Sequence, residues 1–167
     1  MSGNVTKEHV EEFEKSSVPI VLAGSIEETG KIPAVNIDYE KAAYDATKYF
    51  IEHGHEKIAY LFGTLEEPIN GVKKFNGYKK ALEEAGIKLN ENYVLEGDYT
   101  YDSGIEAAEK IIKLDDKPTA ICVATDEMAV GIVHGLQDNG FSIPDDFEVL
   151  AANNTRLSVM VRPQLTS

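Results

Sequence analysis

The chain predicts an α/β fold, with a mainly parallel sheet and helices on both faces. Two observations carry this. Apolar runs of strand length alternate with longer stretches of helical periodicity, the pattern of βαβ units. Several of those runs stop abruptly at polar residues, Thr125-Asp126 after one and Asn153 to Arg156 after another. Right-handed crossovers between parallel strands place helices on the two sides of such a sheet.

Taken in order, Thr6 to Lys15 reads as a short amphipathic helix, with Val10 and Phe13 among charges and Thr6 as its cap. Ser17-Val18-Pro19 breaks it, and Ile20 to Ala23 follows as a strand. A polar loop leads to a strand over Ala34 to Asp38, whose carboxylate is placed to cap the next helix. That helix presents Ala42, Ala43, Ala46, Tyr49 and Phe50 to one side and stops at Gly54. Lys57 to Gly63 is a strand, and Pro68 suits a first helical turn. The long helix after it carries Val72, Phe75, Tyr78, Leu82 and Ala85 at spacings of three and four. Tyr93 to Gly97 is a short strand. Asp102 or Ser103 then caps a helix with Ile105, Ala108, Ile111 and Ile112 inward. The strand through Cys122 leads into a helix that Asp126 is placed to cap, with Met128, Ala129, Ile132, Val133 and Leu136 inward and Gly140 as its stop. Phe147 to Ala151 is the last clear strand, and no helix pattern directly follows Asn153.

A length of 167 residues fits one domain, or one and part of another, and supports a core without staples. The formal net charge of −13 repels phosphate backbones and anionic lipid, which speaks against nucleic-acid or membrane binding by this chain. The single cysteine, Cys122, sits in an apolar run and reads as a buried small hydrophobe. Intramolecular disulfides are impossible, no stretch is long enough to span a bilayer, and Met1-Ser2-Gly3-Asn4 has no basic and apolar leader. A cytoplasmic location is the expectation.

In an open parallel sheet, ligands bind at the carboxyl ends of the strands. The candidates here are Asp38, Gly63-Thr64, Thr125-Asp126 and Asn153 to Arg156, carboxylates and amides suited to vicinal hydroxyls. Lys73, Lys74, Lys79 and Lys80 form the densest basic cluster, with Lys73 and Lys74 nearest the strand-end loop and suited to a phosphate. Arg156 offers a planar fork for bidentate anion contact. His53-Gly54-His55 lacks a second cluster to complete a metal site. The loop from Gly63 to Pro68 lacks P-loop spacing, and no nucleophile elbow or Ser/His/Asp set exists, so neither a cofactor nor catalysis is expected.

Gly54-His55-Glu56-Lys57-Ile58-Ala59, Asn76-Gly77-Tyr78, Thr125 to Gly131, Ile143-Pro144-Asp145-Asp146 and Asn153 to Arg156 resemble, in order and spacing, the lactose/galactose repressor family. Gly63 to Asn70, Glu96 to Gly104 and Asn154 to Ser167 are similar to its catabolite-control branch. The resemblance implies a periplasmic-binding-protein-like (type I) fold. Residues 1–34 would be the end of an N-terminal subdomain, and 35–167 a C-terminal effector-binding and dimerisation subdomain, truncated at its C-terminus. The helix-turn-helix that binds operator DNA would lie outside the chain.

Effector contacts carried over by resemblance are the loop from Thr64 to Asn70, Asp126 and Asn153. They join Arg156, Lys73 and Lys74 as the expected site. The family commonly has Asp where this chain has Asn153, and loss of that charge favours a phosphorylated ligand such as fructose 1,6-bisphosphate or glucose 6-phosphate. The resemblance further implies a homodimer, with Met128, Val130, Val133 and Gln137 at its interface. It also implies a serine-phosphorylated phosphocarrier protein as partner. A sugar-binding protein of a transport system is the alternative reading.

Overall fold

The computed structural model describes residues 5–25, 27, 29–65, 67 and 70–167. The chain divides into two compact units, Met1–Asp38 and Tyr39–Ser167. In the first, helix α1 (Lys7–Glu14) starts at Thr6, whose hydroxyl accepts from the His9 amide while the His9 ring accepts from the Thr6 amide. Strands β1 (Leu22–Ala23) and β2 (Ala34–Val35) pair in parallel, Leu22 opposite Ala34. Both are shorter than the sequence pattern predicts. Leu22 is buried, whereas Val21 and Val35 are exposed, so the apolar run reflects composition rather than two covered faces.

The second unit runs α2 (Tyr39–Glu52), β3 (Ile58–Phe62), α3 (Gly71–Glu84), β4 (Val94–Glu96), α4 (Tyr101–Ile112), β5 (Ala120–Val123), α5 (Asp126–Asp138), β6 (Glu148–Leu150) and α6 (Arg156–Met160). Its sheet has the order β4-β3-β5-β6, parallel throughout. Every residue of β3 and β5 is buried, which requires cover on both faces. The helices supply it as two packed pairs, α2 with α3 and α4 with α5. Tyr60 and Phe62, two residues apart on β3, stack on each other and meet Tyr78 of α3 edge to face. The Tyr78 hydroxyl donates to the Ile58 carbonyl at 2.8 Å, which satisfies the one polar atom of a fully buried ring.

Four details depart from the sequence expectations. The buried stripe of α3 is Gly71, Lys74, Gly77, Tyr78, Ala81 and Leu82, while Val72 and Ala85 face out. Apolar counting misses it because two members are glycines and one is a lysine. Gly77 is needed there, since a Cβ would lie 2.0 Å from the Glu40 carbonyl oxygen of α2. On α2 the buried set is Ala43, Thr47 and Phe50, with Ala42 and Tyr49 exposed.

The caps also shift by one to three residues. Thr100 rather than Asp102 or Ser103 caps α4, and Thr125 rather than Asp126 caps α5. Each hydroxyl accepts the amide three residues on, from Ser103 and Met128. Finally, a helix does follow Asn153: α6 is capped by the Thr155 hydroxyl, which accepts from the Leu157 amide. The expectation for Pro68 falls outside the described residues.

Candidate functional site

Because the sheet is parallel, the β3, β4, β5 and β6 strand ends and the turns into α3, α4, α5 and α6 share one edge. Asp38 belongs to the other unit, Met1–Asp38.

Lys74 is the most informative side chain at this edge. One turn into α3 it points inward, is 8% exposed, and places its ammonium 3.4 Å from the Ala124 carbonyl oxygen at the end of β5. The Tyr39 ring lies 5.4 Å from the same nitrogen, a cation–π contact. Burial lowers the Lys74 pKa, and the Glu67 carboxylate partly offsets that. An ammonium has three donors. Among the described residues Lys74 uses one, in that long bond.

The expected pairing of Lys73 with Lys74 does not survive. Adjacent helix positions differ by about 100°, and Lys73 is exposed. Lys79 pairs with Glu83 at 3.6 Å, and Lys80 lies over the Tyr44 ring, so the basic cluster dissolves into separate surface contacts.

Asp126 is 1% exposed, and its carboxylate is used within the protein. Oδ2 accepts from the Thr155 amide, and Oδ1 accepts from the Ser167 hydroxyl at 2.6 Å. The Ser167 hydroxyl in turn accepts from the Asn154 amide at 2.8 Å. This ties the N-terminus of α5 to the turn between β6 and α6. In that turn Asn153 and Asn154 have φ of 103° and 46°. Non-glycine residues there cost about 1–2 kcal/mol each, and asparagine tolerates the region better than most. Asp126 therefore shapes the turn, and Asn153, which is exposed, is the group it presents. Arg156 is exposed at the first position of α6.

Thr64 and Asn70 bracket the β3–α3 loop. Thr64 is exposed, and its carbonyl accepts from the Glu67 amide at 3.2 Å. Asn70 is half-buried; it makes no cap bond and instead donates from Nδ2 to Glu67 Oε1 at 2.9 Å. The other Glu67 oxygen accepts from the Tyr99 hydroxyl at 3.0 Å. Tyr99 itself has φ of 70°. Its ring lies over the end of β3 so closely that a Cβ on Gly63 would stand 1.9 Å from it. Burial, then the Glu67 carboxylate, push the Tyr99 pKa up.

Glu67 falls within the expected loop from Thr64 to Asn70, whereas Tyr99 and Ser167, which bond to Glu67 and Asp126, were not singled out by sequence reasoning. Only the Asp98-x-Thr100 turn gave a signal: the Asp98 carboxylate accepts from both the amide and hydroxyl of Thr100, which holds its own pKa below the usual range.

The expected dimer residues divide. Met128 and Val133 are fully buried in the core and offer no surface. Val130 is half-buried, and Gln137 is exposed, donating to the Arg162 carbonyl at 3.0 Å. The exposed apolar side chains near α5 belong to α6: Leu157, Val159 and Met160, the last 68% exposed.

With this geometry in place, the comparisons define the class of protein. The periplasmic binding protein-like domain family matches over residues 47–167. The chain belongs to that family, in the form carried by LacI-family transcription regulators. It is 62% identical over 167 residues to catabolite control protein A of Priestia megaterium, covering all of this chain and 50% of that one. It also resembles the crystal structure of transcription regulator CcpA of Lactococcus lactis, with TM-score 0.83 and 36% identity over 99% of this chain and 60% of that one. A third similarity is to a sugar-binding LacI-family regulator from Escherichia coli complexed with phosphate: TM-score 0.84 and 27% identity, covering 95% of this chain and 56% of that one. The chain spans about half the length of the curated relatives it matches.

Proposed function

We propose that this chain is the effector-sensing part of a cytoplasmic transcription regulator of carbon catabolite genes, and that its strand-end edge takes a phosphorylated sugar. The observation that carries the reading is the buried Lys74 ammonium at the end of β5, which uses one donor among the described residues, in a chain of net charge −13. Asn153 and Asn70 supply neutral hydrogen bonds for sugar hydroxyls, and exposed Arg156 supplies a second cation. The phosphate bound to the Escherichia coli relative supports an anionic ligand. The identity to catabolite control protein A supports the regulatory context.

The test is calorimetry with glucose 6-phosphate, fructose 1,6-bisphosphate and glucose. Binding of either phosphorylated sugar with no measurable binding of glucose is expected. Equal affinity for glucose overturns the anion reading, and no binding of any of the three overturns the effector site.

The regulator works as a homodimer in this reading, with exposed Val159 and Met160 of α6, flanked by Val130 and Gln137, in place of the buried Met128 and Val133. Met160→Asp should shift sedimentation to the monomer, and an unchanged dimer refutes that surface. Operator DNA is engaged through a part of the regulator outside these 167 residues, in keeping with their acidity. A serine-phosphorylated phosphocarrier protein is the proposed protein partner, on the strength of the catabolite-control relatives.

A further inference from the structure

The β4–α4 turn holds a side chain whose placement sequence periodicity does not explain. Tyr99 adopts a left-handed backbone conformation that a bulky residue rarely takes, and it does so one position before the cap of α4. A glycine would be easier there. What the tyrosine gains is reach. Its ring spans the end of β3 over Gly63, whose missing side chain leaves the room, and its hydroxyl arrives at Glu67 on the far side.

Glu67 is itself a junction. Its amide donates to the Thr64 carbonyl, its own carbonyl accepts from the Val72 amide in the first turn of α3, and its carboxylate takes both Tyr99 and Asn70. The turn is braced on its other side as well, since Asp98 binds Thr100 twice. The strain at Tyr99 is thus held by neighbours that fix it.

We propose that Tyr99 is a positioning residue for the effector site: its hydroxyl, through Glu67, fixes Asn70 and the start of α3, and so sets where Asn70 and Lys74 meet the ligand. The proposal rests on the reading of this edge as an effector site. It differs from that reading in assigning Tyr99 a role through other residues, whether or not the ring also touches ligand.

The first measurement needs no ligand. In the regulator, Tyr99→Phe keeps the ring over Gly63 and removes only the hydroxyl. Amide exchange at Glu67 and Val72 should accelerate about tenfold, the scale of one lost hydrogen bond to a charged group. The Ile121 and Val123 amides inside the sheet should not change. Glu67→Ala should give the same acceleration at Val72. The double variant should add little to either, because both substitutions break one linkage. Unchanged exchange in Tyr99→Phe, or fully additive effects, overturns the proposal.

The second measurement is titration with glucose 6-phosphate and fructose 1,6-bisphosphate. Tyr99→Phe should weaken whichever binds by about tenfold. Accelerated exchange with unaltered affinity overturns the positioning role. Failure of the unsubstituted protein to bind either sugar overturns the effector reading instead, and leaves the Tyr99 linkage to be judged by exchange alone.

Discussion

Lys74 sets its ammonium 3.4 Å from the carbonyl oxygen of Ala124, so a charge carried on α3 closes the end of a strand to which α3 is not directly connected. Substitution tests whether that charge serves the fold or the ligand. Lys74→Met keeps the length and removes the charge. Since burial lowers the Lys74 pKa, the charged form is disfavoured in the fold, and the unliganded variant should be more stable by roughly 1 kcal/mol. Affinity for a phosphorylated sugar should fall about tenfold to a hundredfold. Lys73→Met, on the exposed side, should change neither by more than about 0.5 kcal/mol. Urea unfolding and calorimetry on both variants check this. The pH dependence follows from the same shift. Between the lowered folded value and 10.5 the unfolded chain binds the extra proton, so this group's contribution raises stability as pH rises through that window.

Asp126 and Ser167 give a second prediction. Asp126→Ala leaves the Thr155 amide without its charged acceptor and should cost about 2–3 kcal/mol. Ser167→Ala, losing the bond to Asp126 and the one from Asn154, should cost about 1 kcal/mol. Each single variant already breaks the bond between Ser167 and Asp126, and the double variant loses it only once, so its cost should fall short of the sum by roughly 0.5–1 kcal/mol. Additive unfolding energies would mean that the two residues act separately.

Helices α4 and α5 touch backbone to backbone. A Cβ on Gly104 would lie 2.2 Å from the Met128 carbonyl oxygen, and one on Gly131 would lie 2.2 Å from that of Tyr101. Carbonyls of packed helices cannot step aside, so Gly104→Ala should destabilise by about 2–3 kcal/mol in urea titration. Gly86→Ala is the contrast. It meets open space and pays only for its φ of 71°, about 1 kcal/mol.

How much of this was legible beforehand varied with the chemistry involved. The order of strands and helices was readable because apolar runs and glycine stops report burial and termination directly; Gly54, Gly86 and Gly140 all have positive φ. Residues whose role depends on direction were not. Lys73 and Lys74 are chemically identical neighbours, and only the turn of the helix tells which one is buried. Asp126 reads as a cap or a ligand, and its true partners, Thr155 and Ser167, lie 29 and 41 residues away. Met128 and Val133 look alike as core or interface until burial is known. Tyr99 was hidden because nothing in a sequence marks a left-handed tyrosine.

Cys122 yields a prediction in alkaline solution. Burial pushes its thiol from 9.0 up to about 12, with the Thr47 hydroxyl opposing. Between those values the unfolded chain loses a proton that the folded chain keeps, so stability falls as pH rises, by about 1.4 kcal/mol per unit from this group. Cys122→Ala should flatten the curve by that slope from pH 9 upward, measured by urea unfolding at a series of pH values. Tyr60 and Tyr78, whose pKa values burial also raises, would then account for much of the remaining decline.

The parallel sheet has a kinetic consequence. Since α3, α4, α5 and α6 all begin at the edge where the strands end, their positive dipole ends gather there with Lys74 and Arg156, on a molecule of net charge −13. An approaching anion therefore meets repulsion from afar and attraction in its last few ångströms. At physiological ionic strength the Debye length is about 8 Å, which screens the first field and spares the second. If the proposed phosphorylated ligand binds at this edge, its capture should be faster in salt than in dilute buffer, the opposite of a protein that steers its ligand by overall charge.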